Sequence, residues 1–189
     1  MSLADALNQI KKENYDPKKD KPGSGFERIP DGEYIVSLSG ATHGVWPNSQ
    51  TDFIRFSLEV ATGDEAGRQE FFTPTLAETT SKGKKMPAGV LTRNIKQIQR
   101  LGAMVGLDPV PDECFLQETE SEDYEKLQDA FQPYKGKLLK LTIKTTENKK
   151  DPDRPYRNLE FDEVEQPKAI DPNAAKATGV TVTDDDLPF

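Results

Sequence analysis

Cysteine and histidine are almost missing from this sequence, which holds one of each, Cys114 and His43. A lone cysteine excludes an intrachain disulfide, and with it the usual frame of a small secreted protein. One Cys and one His cannot form a Cys/His zinc site within the chain. Long apolar runs are missing too, since none approaches the ~18–20 residues needed to span a bilayer. The first residues, MSLADALNQIKK, lack the basic-then-apolar pattern of a signal peptide. The phosphate-loop, dinucleotide-fingerprint, zinc-helix and serine-elbow motifs are all absent. These absences predict a cytoplasmic protein with no membrane attachment, no metal and no other cofactor.

The chain has 189 residues, enough for one ordinary domain with loose ends. Hydrophobic residues make up 34% and charged residues 31%, so part of the chain is expected to lie outside any core. The formal net charge of -8 argues, as one number, against a nucleic-acid partner, because phosphate binding relies on Lys and Arg. Its distribution says otherwise. Residues 76–106 hold six basic and one acidic residue, and 135–158 hold eight basic and three acidic, so each carries +5. Residues 107–134 carry -8 and 159–189 carry -6.

The ends differ from the middle. Apart from alanine, residues 1–25 and 165–189 hold 10 apolar residues, against 41 in the stretch between. Of the aromatics, only Tyr15 and Phe189 lie in those ends. The expected organisation is a short helix and linker over 1–25, one folded domain over 26–164, and a disordered acidic tail over 165–189. The N-terminal pattern Leu3, Leu7, Ile10 either packs on the domain, mediates self-association into a homo-oligomer, or stays a loose amphipathic turn.

Inside the domain, EYIVSLS (33–39) alternates in the manner of a half-buried strand. In 52–61, Ile54, Phe56, Leu58 and Val60 take one side, and Phe53, Arg55, Ser57 and Glu59 the other. A turn from Gly63 to Gly67 leads to a third strand over 68–76, ended by Pro74. The period then becomes helical, with Leu91, Ile95, Ile98, Leu101 and Val105 on one face and Gly106 as the stop. A shorter helix is expected from Ser121, as N-cap, through Tyr124, Leu127 and Phe131. Two strands follow, one through Leu139, Leu141 and Ile143 and one through Leu159 and Phe161. Three strands, a helical segment and two strands is the element order of the OB-fold, a mainly β five-stranded barrel with a helical segment between strands three and four. The runner-up is an unrelated α+β sheet with helices on one face.

In that barrel, oligonucleotides lie across strands two and three, between the loops joining strands one–two and four–five. The first loop, 39–50, is expected to carry His43 and Trp46; the second, 146–155, carries Lys149, Lys150 and Arg154, with Tyr156 after it. Outward positions add Phe53 and Arg55 on strand two, and Lys140 and Lys144 on strand four. Lys82, Lys84 and Lys85 precede the long helix. Phe71 and Phe72 point oppositely, and Phe72 is taken as the groove residue with the choice between them open. Rings that stack on bases and cations that track phosphates are what sequence-tolerant binding of single strands requires. The blander readings are a Trp46 that plugs the barrel end, a Phe53 covered by a helix and solvated lysines. Arg93, Lys96 and Arg100 are expected to form a solvent face, His43 to be a surface loop residue, and Cys114 to be semi-buried and inert.

The sequence closes on Asp184, Asp185, Asp186, Leu187, Pro188 and Phe189. Three carboxylates beside a proline-stiffened apolar anchor suit insertion into a basic pocket of another protein. This tip resembles that of bacterial single-stranded DNA-binding proteins, which end Asp-Asp-Asp-Ile-Pro-Phe; here Leu replaces Ile. The body differs from that family, whose tails are longer and rich in Gly and Gln. Instead IPDGEYIVSLSGA (29–41), FSLEVATGDEAGRQEFF (56–72), LGAMVGLD (101–108) and YRNLEFDEVE (156–165) are similar to phage- and prophage-encoded OB-fold single-stranded DNA-binding proteins. The resemblance implies binding of single-stranded DNA with little sequence preference. It also implies recruitment of host or phage replication, recombination and repair proteins through the tip, in the bacterial host cytoplasm.

A second reading is a recombination mediator or adaptor that works mainly through protein contacts. An enzyme such as a nuclease would need convergent carboxylates near a lysine, and the acids here fall mostly in helix-flanking loops and tails. Deleting 165–189 is expected to raise affinity for single-stranded DNA and steepen its salt dependence; unchanged affinity at low salt would contradict this. Phe189→Ala is expected to keep DNA binding and lose partner capture in a pull-down.

Overall fold

Period-two alternation builds a sheet, and helical periodicity lays two helices against one of its sides. The structure is a computed structural model that describes residues 28–80, 83–149, 151 and 155–167, together with Leu3, Leu7 and Lys12. The chain divides into two units, Met1–Pro30 and Asp31–Phe189. In the first, Leu3, Leu7 and Lys12 are helical and exposed. Ile10, Lys82, Lys150, Arg154 and the tip Asp184–Phe189 lie outside the described residues.

The second unit runs β1 (Gly32–Val45), β2 (Asp52–Val60), β3 (Gln69–Phe72), α1 (Ala88–Val105), α2 (Glu120–Phe131), β4 (Leu138–Thr146) and β5 (Tyr156–Asp162). The five strands form one antiparallel sheet in the order β3-β2-β1-β4-β5. The expected mainly β class and the helical segment between strands three and four are both present. No described helix is long and apolar enough to cross a membrane.

β1 is the axis of the sheet. Its first half pairs with β4, from Gly32 opposite Ile143 to Ser37 opposite Leu138. Its pairing with β2 runs to Val45 opposite Asp52, with a register shift between Leu38 and Gly40. Such a bulge bends a strand and raises its twist, so one long strand can serve two neighbours that diverge. The expected loop 39–50 is corrected accordingly: residues 39–45 are strand, and the β1–β2 connection is only 46–51. Alternation alone misses this, because SGATHGV lacks the large apolar residues that mark the strand before it.

The inward positions form the core. Val36, Leu38, Ile54, Phe56, Leu58, Leu139, Leu141 and Ile143 are all essentially inaccessible. α1 adds Ile98, Leu101 and Val105, and α2 adds Tyr124, Leu127 and Phe131. Each such side chain is worth ~1.5–3 kcal/mol of burial. The α2 N-cap is Thr119, two residues before the expected Ser121. Thr119 Oγ1 accepts from Glu122 N–H and Glu122 Oε2 accepts from Thr119 N–H, a reciprocal capping box. Gly106 ends α1 in the left-handed conformation, φ 96°, as expected.

The expected barrel is corrected to an open sheet, because no backbone ladder joins β3 to β5. β3 is only four residues long and stops short of Pro74, which has no N–H to donate to a ladder. Side chains bridge the seam in its place. Phe72 meets Phe161 edge-on at 5.3 Å, and Arg157 donates from Nη2 to Glu70 Oε2 at 2.6 Å. Arg100, expected on a solvent face, ties α1 to β5 through bonds to the Phe161 carbonyl (2.8 Å) and Asp162 Oδ1 (2.6 Å). Cys114 is fully buried, and that burial raises its thiol pKa, which leaves it unreactive.

Gly102 marks the tightest packing of α1. A Cβ there would overlap the Val110 side chain and lie 2.8 Å from the Leu107 carbonyl oxygen, which is backbone and cannot yield cheaply. Gly102→Ala is expected to destabilise the fold by ~1–3 kcal/mol. The check is a lower urea midpoint at unchanged slope, and an unmoved midpoint would show that the α1 C-terminus has slack.

Candidate nucleic-acid interface

β2 turns Ile54, Phe56 and Leu58 into the core, so Phe53 and Arg55 must point outward. Opposite Phe53 on β1 stands Gly44, and the Phe53 ring lies across it: a Cβ at Gly44 would sit 2.8 Å from Phe53 Cζ. With the ring laid over the neighbouring strand, Trp46 packs on it at 4.3 Å between centroids and 34° between planes. Trp46 opens a tight turn closed by bonds from its N–H to the Thr51 carbonyl (2.9 Å) and from Gln50 N–H to its own carbonyl (2.8 Å). Gln50 takes φ 54°, a left-handed conformation that costs a non-glycine residue energy and that these bonds hold in place.

The Arg55 guanidinium sits in the middle of this aromatic surface. Its Cζ lies 5.2 Å from the Trp46 ring, 5.1 Å from Phe53 and 5.1 Å from Phe71. Contacts of this kind stabilise a cation by ~0.5–2 kcal/mol. No carboxylate pairs with Arg55 among the described residues, and its buried Nε has no hydrogen-bond partner. Trp46 is 39% exposed and Phe71 37%. The result is a strip, Trp46–Phe53–Arg55–Phe71, across the outer side of β2 and β3, with charge at its centre.

The structure settles the choice between Phe71 and Phe72, and the expectation of Phe72 as a groove residue is corrected. Phe72 pairs with Phe56 across β2–β3, shares its inward side and is only 8% exposed. It stacks on Phe56 at 5.8 Å. Phe71, opposite Ser57, faces outward instead.

The expected cations separate into two groups. Lys140 and Lys144 lie on β4, two strands from β2, and each is paired: Lys140 with Glu33 at 2.8 Å and Lys144 with Glu160 at 3.2 Å. The hydrogen bond that Lys140 donates to Glu33 also raises the Lys140 pKa. Exposed pairs of this type contribute little to stability. Lys84, Lys85 and Lys149 are exposed with no carboxylate partner among the described residues. Tyr156, 54% exposed, begins β5 and lines a cleft of about 410 Å³ along the seam, shared with Phe71 and Arg93. A second cleft, about 690 Å³, opens on the other side of the strip and is walled by Trp46 and Phe53. Thr73, Pro74 and Thr75 border both.

His43 is not a loop residue, as expected from sequence, but part of β1 and half-buried. Its Nε2 pairs with Asp52 Oδ1 at 2.7 Å, the same oxygen that accepts from Ser121 Oγ at 3.0 Å. Gln128 Oε1 accepts from the His43 backbone N–H. This network pins α2 to the end of β1 and β2. Beside it, Tyr124 OH donates to Glu120 Oε1 at 2.7 Å and accepts from Leu76 N–H at 2.9 Å. Burial of the phenol raises its pKa well above the usual tyrosine value, so it stays a donor. Sequence reasoning did not reach this network, because Ser121 and Gln128 on α2 lie 69 and 85 positions from the strand residues they bond.

Fold and site thus define a class: a mainly β domain with an open five-stranded antiparallel sheet and a cation set in aromatics on its outer side. No known family model matches the chain, and a search of curated proteins finds no significant match.

Gly44→Ala is expected to push Phe53 off β1, break its contact with Trp46 and shift the emission of this sole tryptophan. Stability should change by under ~1 kcal/mol, since the site is outside the core. Unchanged emission would show that Phe53 yields without disturbing Trp46.

Proposed function

We propose that this protein binds single-stranded DNA with little sequence preference across the strip Trp46–Phe53–Arg55–Phe71, and recruits replication and recombination proteins through its C-terminal tip. The observation that carries the reading is Arg55, an arginine held by three ring faces with no acid among the described residues to neutralise it. A guanidinium held this way keeps N–H donors and charge that an anion from outside can engage. Rings beside it at stacking height make a phosphate-and-base polymer the fitting partner.

The architecture supports the same reading. Rolling the sheet so that β3 approaches β5 gives the five-stranded OB barrel, and Phe72–Phe161 and Arg157–Glu70 already bridge those edges. The strip then occupies the strand-two and strand-three surface on which OB-folds hold oligonucleotides. Exposed Lys84, Lys85 and Lys149 would track the backbone, as would Lys82, Lys150 and Arg154, which lie outside the described residues. α2 packs on the core side of β2 through Phe131 against Phe56, so most of the acidic segment 107–134 lies across the sheet from the strip. The tip Asp184–Phe189 also lies outside the described residues, and its recruiting role rests on its sequence resemblance.

Titration of the intrinsic Trp46 fluorescence with single-stranded DNA, duplex DNA and single-stranded RNA at several salt concentrations tests the reading. Single-stranded DNA should quench it and bind most tightly. Trp46→Ala and Phe71→Ala should each cost ~1–3 kcal/mol, roughly 5- to 150-fold in Kd. Arg55→Ala should weaken binding and flatten the slope of log K against log salt by ~0.7 per lost phosphate contact. No binding at low salt would overturn the proposal.

A further inference from the structure

The cleft beside Trp46 differs from the rest of the strip. Its wall is the Trp46–Phe53 pair, so it is continuous with the stacking surface, and its 690 Å³ lies within the ~300–1,000 Å³ of clefts that enclose small ligands. No cation lines it. It is lined instead by threonine hydroxyls, Met86 and two carboxylates, Asp52 and Glu120.

Each carboxylate is fixed through one oxygen only. Asp52 Oδ1 is engaged by both His43 and Ser121, and Glu120 Oε1 by Tyr124. Asp52 Oδ2 and Glu120 Oε2 have no partner among the described residues. Two oriented acceptors in an aromatic-walled cleft repel phosphate, so the cleft does not suit the DNA backbone. They suit a base edge that carries N–H donors. Cytosine, adenine and guanine each present an exocyclic amino group, and guanine adds the neighbouring ring N–H. Thymine sets its ring N–H between two carbonyl oxygens, and at least one of these would face a carboxylate.

We propose that this cleft is a subsite for one base unstacked from the bound strand, that it accepts bases with an exocyclic amino group, and that Asp52 and Glu120 make it reject thymine. The proposal rests on the reading of the strip as a single-stranded DNA interface and adds a specificity to it. His43 and Ser121 are positioning residues for Asp52, and Tyr124 is one for Glu120. Elsewhere on the strip, binding stays indifferent to base because stacking is.

The test uses the full chain and strands of equal length, one all thymine and the others carrying a single interior cytosine, adenine or guanine. A bound strand slides until its one amino-bearing base enters the cleft, so each substituted strand should bind about tenfold tighter than all-thymine. Glu120→Gln and Asp52→Asn supply amide donors to a thymine carbonyl and remove charge. Both variants should bind all-thymine tighter than the parent does and bring the preference within about twofold. Should Asp52→Asn disturb His43 and the fold, seen as a lost melting transition, Glu120→Gln still decides, since its amide oxygen accepts from Tyr124. Equal affinity of the parent for all four strands would overturn the subsite and leave the single-strand reading standing. Failure to bind any strand would overturn both. A preference that survives in both variants would remove the carboxylates from the role.

Discussion

The contact between Phe56 and Phe72 decides what each side of the sheet can do. The two rings stack across β2–β3 and meet Phe131 and Phe161 from the other elements, so both must face inward. Side chains alternate along a strand, so this one pairing sends Phe53, Arg55 and Phe71 outward together. A shift of one residue in β3 would bury Phe71 and expose Phe72 in its place. The core therefore sets the register of the outer surface, and the strip has no freedom to assemble differently while the core holds.

Much of this could be read from the sequence because it is local. The alternation in β2 put Phe53 and Arg55 outward, and the three-four spacing of α1 named Ile98, Leu101 and Val105 before any coordinates. Pairing is not local, and pairing is where the reading stopped. Two adjacent phenylalanines look the same in one dimension; only the partner Phe56 tells Phe72 from Phe71. His43 appeared to lie in a loop because its neighbours are small, yet it is fixed in β1 by groups from β2 and α2. Arg100 appeared solvated because its acceptors, on β5, come 61 residues later. Thr119 was passed over for Ser121 although Glu122, three residues on, completes its capping box.

Net charge was the least informative number and charge pairing the most informative. The β1–β4–β5 part of the sheet carries Lys140, Lys144, Glu33 and Glu160 in satisfied pairs, and Arg157 is held by Glu70. These cations answer to the protein's own acids. Arg55 does not, since rings rather than carboxylates hold it. Counting basic residues by segment gave +5 twice, but one of those segments contains the paired Lys140 and Lys144 while Arg55 belongs to neither. A charge that folding leaves uncompensated says more about a missing anion than a local excess does.

The open seam bears on the same surface. A β3–β5 ladder would fix the distance between these edges by backbone bonds at regular intervals. Here the join is one ring contact and one arginine fork, both on the core side. Phe71 and Phe72 from β3, Tyr156 and Arg157 from β5 and Arg93 from α1 line a single cleft along this seam. Its width is therefore set by side chains, whose rotamers adjust at less cost than a ladder breaks. The strip then has two unlike flanks: a fixed cleft at Trp46, braced by His43, Asp52, Ser121 and the Tyr124–Glu120 bond, and an adjustable one at Tyr156. A polymer laid across Arg55 would meet a selective contact at the first and a permissive contact at the second. Under the proposed single-strand reading, that asymmetry would give mostly uniform binding with one discriminating position.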